Sequence, residues 1–241
     1  MKVIILAAGE AKRLRPLTLE TPKCLLQVGG KSIIDYQIEN LLAFGLKDVV
    51  VVTGFMAEKL ETHLTTSFKN INWTFIRNDE YQTTFPAYGL WLTREHFKDE
   101  ILYLNGDVIC HPEIIRTVVE SSHKSATAIQ QTSWDEEEVN VTIQKDSSLI
   151  LDIGKHISKE MSDGEFIGVT KIGKEFLAEL ENTLTNFIER GDFKKFAADS
   201  INSTIQKGLE MHVCDVSYLP AIEIDTPEDL ERAKEKIPSI Y

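Results

Sequence analysis

Only three cysteines, Cys24, Cys110 and Cys214, occur in 241 residues, far apart and in no CxxC pair. That fits free thiols in a reducing compartment, the cytoplasm by default, better than a disulfide framework or a zinc site. Long apolar runs are missing too. The N-terminal one, Val3 to Ala8, is too short for a signal-peptide core or a membrane span, and no later run approaches the required length. A soluble, unprocessed protein that engages no membrane is expected. Positive charge is scarce, 26 Lys and Arg against 38 Asp and Glu, for a formal net charge of -12. A surface of that sign repels a nucleic-acid backbone, so no polynucleotide partner is expected. The six histidines form no HExxH or similar ligand spacing. Neither GxxxxGK[ST] nor GxGxxG is present, which excludes a Walker A loop and a dinucleotide fingerprint.

What is present is an ordinary globular composition, 42% hydrophobic and 27% charged, with length enough for one substantial core. Val3 to Ala8 reads as a strand buried on both faces of a parallel sheet, ending at Gly9. Ser32, with Asp35 three residues on, predicts a capped helix whose apolar residues recur from Ile33 to Leu42 and which stops at Gly45. Strands follow at Val49 to Val52, Trp73 to Ile76 and Ile101 to Leu104, with helical spacing at Met56 to Leu64 and Leu90 to Phe97. This alternation predicts an α/β fold, a doubly wound, mainly parallel Rossmann-like sheet over about 1–124. Pro112 opens another helix.

From about 125 to 241 the pattern changes to short strands in "SATAIQQ", "VNVTIQ" and "LILDIG". Helices are expected at Lys174 to Glu189 and Phe193 to Lys207, then a strand at Met211 to Val216. In "EIDTPEDL", Thr226, Pro227 and Asp229 predict a capped final helix. With no linker in between, residues 1–241 read as a single domain whose second half is a small mixed subdomain that returns to the first.

Against the negative balance, Lys12, Arg13, Arg15 and Lys23 crowd the run after Gly9. A glycine turn after a buried strand lets main-chain N–H groups face a phosphate, and cations nearby supply counter-charge. The same residues also read as a strand-end turn followed by solvated surface lysines. His111, near Asp107, reads as a loop residue more than as a metal ligand, and "WDEEEVN" as a solvated acidic turn. Trp73, Trp91, Trp134, Phe85 and Tyr88 read as core aromatics or as a wall for a cationic headgroup.

The order "LAAG", Arg13, "RPLT" and "PK" resembles the nucleotidyltransferases that make nucleotide-activated sugars and alcohols. Their usual form is L-A-A-G-x-G-[ST]-R-L-x-P-L-T followed by P-K; here Ala11 stands at the second glycine and Lys12 at the Ser/Thr. The resemblance continues through "GKSIIDYQIENLLAFG", "NGD", "EFIGVTKI" and "EIDTPEDL". It implies a GT-A-like fold with an acceptor-binding second half. It also implies a nucleotide site at Leu6, Ala7, Ala8, Gly9, Glu10, Lys12, Asn78 and Asp107. Arg13 would hold the β- and γ-phosphates and Lys23, an exposed side chain, the reacting phosphates. Asp107 and Asp225 would be Mg²⁺ ligands, Lys155 would meet the acceptor phosphate, and Glu165 would be an acceptor-side acid. Beside that reading, Asp107 also reads as a turn residue and Asp225 as a helix-entry residue, the lesser alternatives.

The "N-x-x-Y…L" frame and "EFIGVTKI" resemble the cytidylyltransferases for phosphocholine and related phosphonates more than the sugar enzymes. The implied reaction is transfer of CMP from CTP to a small phosphorylated alcohol, amine or phosphonate, with release of pyrophosphate. The implied partners are that acceptor, the nucleoside triphosphate and, as a candidate, a second copy of the chain in a homodimer. Two other readings stand beside it: an NDP-sugar pyrophosphorylase acting on a hexose 1-phosphate, and a non-catalytic nucleotide sensor.

Overall fold

The computed structural model describes residues 1–131 and 137–241. In chain order the elements are β1 (Lys2–Leu6), β2 (Gln27–Val28), β3 (Lys31–Ser32), α1 (Ile33–Ala43), β4 (Asp48–Thr53), α2 (Ala57–Ser67) and β5 (Asn72–Arg77). Next come α3 (Pro86–Leu92), β6 (Ile101–Asn105), β7 (Val108–Cys110), α4 (Pro112–Val119), β8 (Ala126–Gln130), β9 (Asn140–Ile143) and β10 (Ile150–Gly154). The chain closes with β11 (Gly164–Ile172), α5 (Lys174–Glu189), α6 (Ala197–Ile205), β12 (His212–Asp215), β13 (Ala221–Glu223) and α7 (Pro227–Ile240).

Strands β5, β4, β1 and β6 lie side by side and parallel, in the spatial order third, second, first, fourth. The connections therefore leave β1 in opposite directions, and a crevice opens between the carboxyl ends of β1 and β6. Alternation along each strand feeds two cores. Val3 and Ile5 pack with α1, α2 and α4 on one face, whereas Ile4 packs with α3, α5 and α6 on the other. Helices on both faces make the sheet doubly wound, as the sequence predicts. Beyond β6 the second half extends the same sheet: β11 pairs antiparallel with β6, and β8, β9, β10 and β12 follow.

The capping signals act as read. Ser32 accepts from the Asp35 amide while Asp35 accepts from the Ser32 amide, and Thr226 and Asp229 do the same for α7. Three helices depart from expectation. α3 begins at Pro86, its first helical residue, and ends at Leu92 rather than running to Phe97. α6 starts at Ala197, because Phe193 and Lys195 instead give their carbonyls to the amides of Phe85 and Ala87. Met56 stands outside α2, with a left-handed φ of 49°. Two short ladders were not expected. One is the β2–β3 hairpin; the other pairs β13 antiparallel with β7, and both pack into a third core with α7. The β13–β7 ladder carries the chain's last strand back to the β6 turn.

Candidate active site

The loop after β1 is tied to the end of β4: the Ala7 amide donates to the Val52 carbonyl at 2.9 Å, and the Phe55 amide to the Ala8 carbonyl at 2.9 Å. A Cβ on Gly9 would meet nothing within 4 Å, so the space above it is open to a ligand. A Cβ on Gly106 would lie 2.4 Å from the Leu6 carbonyl oxygen. Only glycine lets the "NGD" turn close on β1 there, and that approach brings Asp107 to the crevice. One pocket in the crevice is walled by Leu6, Ala7, Ala8, Gly9, Asn78 and Asp107, together with Lys23. Glu10 and Lys12 are not on its wall. They pair with each other at 2.8 Å, and Glu10 also reaches Arg15 at 3.4 Å. Ala11 has φ 47° and ψ 57°, the left-handed region that favours glycine, which accounts for a glycine at this position in the resembled pattern.

Asp225 reaches the same place by the β13–β7 ladder. The Ile224 amide donates to the Asp107 carbonyl at 3.1 Å, extending the ladder past β13. The turn is then fixed by Asp229, which accepts from the Asp225 amide at 3.0 Å and the Thr226 amide at 2.8 Å. Lys23 bridges the two acids, donating to Asp107 Oδ2 at 2.8 Å and to Asp225 Oδ1 at 2.5 Å. Arg13 donates to the other oxygen, Asp225 Oδ2, at 2.6 Å. Lys23 is not the exposed side chain the sequence suggests, since only 13% of it is open. Burial disfavours its charge, but Asp107 and Asp225 together outweigh burial and raise its pKa. Burial likewise opposes ionisation of Asp225, and Lys23 and Arg13 overcome it, lowering that pKa.

A third acid stands here that the sequence reading missed. Among the described residues, Asp107, Glu223 and Asp225 place carboxylate oxygens within 4.8 Å of one another. Two positions before Asp225, at the end of β13, Glu223 falls on the same side of an extended chain, a signal that needs the strand to be known. Burial and then repulsion by Asp107 and Asp225 push its carboxyl well above the usual range. A raised folded-state pKa means the folded chain holds the proton more tightly. Stability from Glu223 is therefore full at acid pH and is lost as pH rises from the ordinary carboxylate range through the folded pKa. Glu223→Gln should accordingly gain in Tm over the parent as pH rises from 4 to 8, followed by thermal melts. A difference independent of pH would contradict the shift.

Buried Asp107 Oδ1 has no hydrogen-bond partner among the described residues. An orphaned carboxylate oxygen beside two further carboxylates is the hard-oxygen donor set that Mg²⁺ takes, so these residues fit the ion.

Next to them opens a second cavity of ≈ 460 Å³ that shares Asp107, Asp225 and Arg13 and has Lys155 and Phe196 on its wall. Lys155 Nζ lies 5.2 Å from the Phe196 ring centroid and donates to the Glu137 carbonyl. Glu165 is not on this wall. Alternation along β11 turns Phe166 into the second cavity and Glu165 into a third one, beside Arg232 and Lys236, which shares Glu138 and Glu223 with the second. His111 caps α4, its Nδ1 accepting from the Glu113 amide at 3.2 Å. Trp73 and Trp91 pack against the cores, and Phe85 lines the first pocket. Trp134 and the acidic turn's Asp135 and Glu136 lie outside the described residues.

The nucleotidyl transferase family model matches residues 2–148. A CTP:phosphoglutamine cytidylyltransferase of Campylobacter jejuni subsp. jejuni is 26% identical over 240 residues, 93% of each chain. A choline-phosphate cytidylyltransferase of Streptococcus pneumoniae is 41% identical over 95 residues, 39% of this chain and 40% of that protein. In fold, a crystal structure of a putative glucose-1-phosphate thymidylyltransferase from Bacillus anthracis superposes with a TM-score of 0.81 at 20% identity, covering 100% of this chain and 96% of that one. Among the described residues no helix is long and apolar enough to cross a membrane. A glycine-turn pocket, paired cations facing carboxylates and a family match over more than half of the chain agree: the chain belongs to the nucleotidyl transferase family and is an enzyme of that kind.

Proposed function

We propose that the protein transfers CMP from CTP to the phosphate of a small phosphorylated alcohol, amine or phosphonate, with Mg²⁺ and with release of pyrophosphate. The observation that carries this reading is the Lys23–Asp107–Asp225–Arg13 cluster, set between the pocket beside Gly9 and a second cavity with its own lysine. The choice of CTP and of a small acceptor rests on the relatives named for phosphoglutamine and choline phosphate. The three buried free cysteines agree with a reducing compartment, and we place the protein in the cytoplasm.

The acceptor brings its own nucleophile. A phosphomonoester with a second pKa of about 6 is mostly dianionic at neutral pH, so no side chain has to remove a proton. The work left to the protein is alignment and charge. Main-chain N–H groups around Gly9 and the Arg13 guanidinium take the triphosphate. Lys23 exchanges its carboxylate partners for the reacting phosphates, and Lys155 holds the acceptor phosphate across the second cavity. Asp107 and Asp225, with Glu223 beside them, would hold Mg²⁺, which supplies positive charge between two anions that otherwise repel.

Incubation with each of four nucleoside triphosphates, Mg²⁺ and a phosphomonoester panel, read as pyrophosphate, tests the assignment. Release with CTP and a small phosphorylated alcohol or amine is expected. Release only with a hexose 1-phosphate would replace the reading by the sugar-nucleotide one, and no release with any pair would leave a nucleotide sensor.

A further inference from the structure

Gln37 lies on α1 and is 4% exposed. Its Nε2 donates to two main-chain carbonyls, that of Asn105 at 2.7 Å and that of Val108 at 2.8 Å. Those carbonyls bracket Gly106 and Asp107, so a single side-chain amide spans the turn that presents the carboxylate. Its Oε1 is buried without a partner among the described residues. Leaving that oxygen unsatisfied is a cost that an apolar residue of the same size would avoid, so packing alone does not explain a glutamine here.

The turn needs an external brace. Gly106 admits no side chain that could stiffen it, because the Leu6 carbonyl occupies the place of a Cβ. The Asp107 carboxylate is held on one oxygen by Lys23 and on the other by nothing among the described residues. When Lys23 turns to phosphates, the position of that carboxylate depends on its main chain.

We infer that Gln37 is a positioning residue, which clamps the 105–108 turn and thereby sets where the Asp107 carboxylate meets a divalent cation. The inference rests on reading Asp107 as a metal ligand. Second-sphere groups of this kind commonly govern metal affinity without touching the ion. One turn along α1, Asn40 makes an analogous bond, donating to the Cys110 carbonyl at 2.9 Å, but beyond the turn and not across it. It provides an internal control of similar burial and chemistry.

Mn²⁺ is the probe, with unbound Mn²⁺ counted by its electron paramagnetic resonance signal at a temperature where circular dichroism shows each variant folded. Gln37→Met keeps length and volume and removes both donors. Gln37→Glu keeps the shape and turns an oxygen toward two carbonyls, and it carries the test if Gln37→Met fails to fold. Either should weaken Mn²⁺ binding about tenfold or more, whereas Asn40→Leu should lower Tm but bind Mn²⁺ like the parent. Equal binding by the parent and the Gln37 variants, or equal weakening in Asn40→Leu, would overturn the positioning role. If Asp107→Asn binds Mn²⁺ as the parent does, the metal reading of Asp107 fails first, and the role of Gln37 falls with it.

Discussion

Lys23→Ala is expected to lower kcat/KM for pyrophosphate release by about 10²- to 10³-fold, roughly 3–4 kcal/mol of barrier, the loss typical when one preorganised donor to a developing charge is removed. The same change should also weaken the fold. Its ammonium lies 2.8 Å from Asp107 and 2.5 Å from Asp225, so its loss leaves those two carboxylates, with the Glu223 carboxyl close by, to Arg13, which bonds Asp225 at 2.6 Å. Breaking a buried pair in this way costs about 3 kcal/mol, the low end of the range because a third of Asp225 is open to water. Millimolar Mg²⁺ should restore part of the lost Tm, since a cation is what the cluster then lacks. Turnover and thermal melts with and without Mg²⁺ check both parts. A variant with the parent's turnover would remove Lys23 from the chemistry.

Asp107→Asn and Asp225→Asn are expected to abolish Mg²⁺-dependent pyrophosphate release, each by several kcal/mol, on the order of a thousandfold in rate. Asparagine keeps the shape and loses the charge that would offset the cation. Asp225→Asn should also raise the KM for the triphosphate more than Asp107→Asn does. It weakens the hold on Arg13, whose guanidinium bond at 2.6 Å is to Asp225 Oδ2 and whose pairing with Glu137 is longer, at 3.9 Å. If the two acids act on one ion, as proposed, the double variant should be little worse than either single one. Steady-state rates over a Mg²⁺ titration check this. Full activity in either variant would contradict the shared metal site.

Local signals in the sequence carry far where the rule is local. The buried strand before the Gly9 turn, which stops at Leu6 and not at Ala8, the Ser32–Asp35 and Thr226–Asp229 capping boxes and the alternation of strands and helices specify the parallel half and its crevice. The approach of Asp225 to Asp107 is a different kind of fact. It depends on three residues of β13 pairing with three of β7, a ladder too short to show in periodicity. Glu223 is hidden for the same reason: in isolation it is one acid among many in an acidic chain, and it becomes notable only once β13 fixes its direction. The burial of Lys23 is equally illegible, because the carboxylates that make burial tolerable come from the far end of the chain. Which cavity a β11 side chain enters is likewise not legible in the sequence: Glu165 lines the third cavity, and Phe166, one residue on, lines the second with Lys155. Pro86 was a missed local signal, a proline at the first position of a helix, which would have placed the start of α3 correctly.

The most direct measurement is a phosphorus NMR spectrum of the protein with CTP, Mg²⁺ and an acceptor from the active part of the phosphomonoester panel. Transfer of CMP to the acceptor's phosphate oxygen predicts that the acceptor's phosphomonoester resonance disappears. A pair of coupled diphosphate resonances should replace it in step with the appearance of pyrophosphate. An unchanged phosphomonoester resonance while CTP is converted to CMP and pyrophosphate, or while CTP persists, would contradict nucleotidyl transfer to a phosphorylated acceptor.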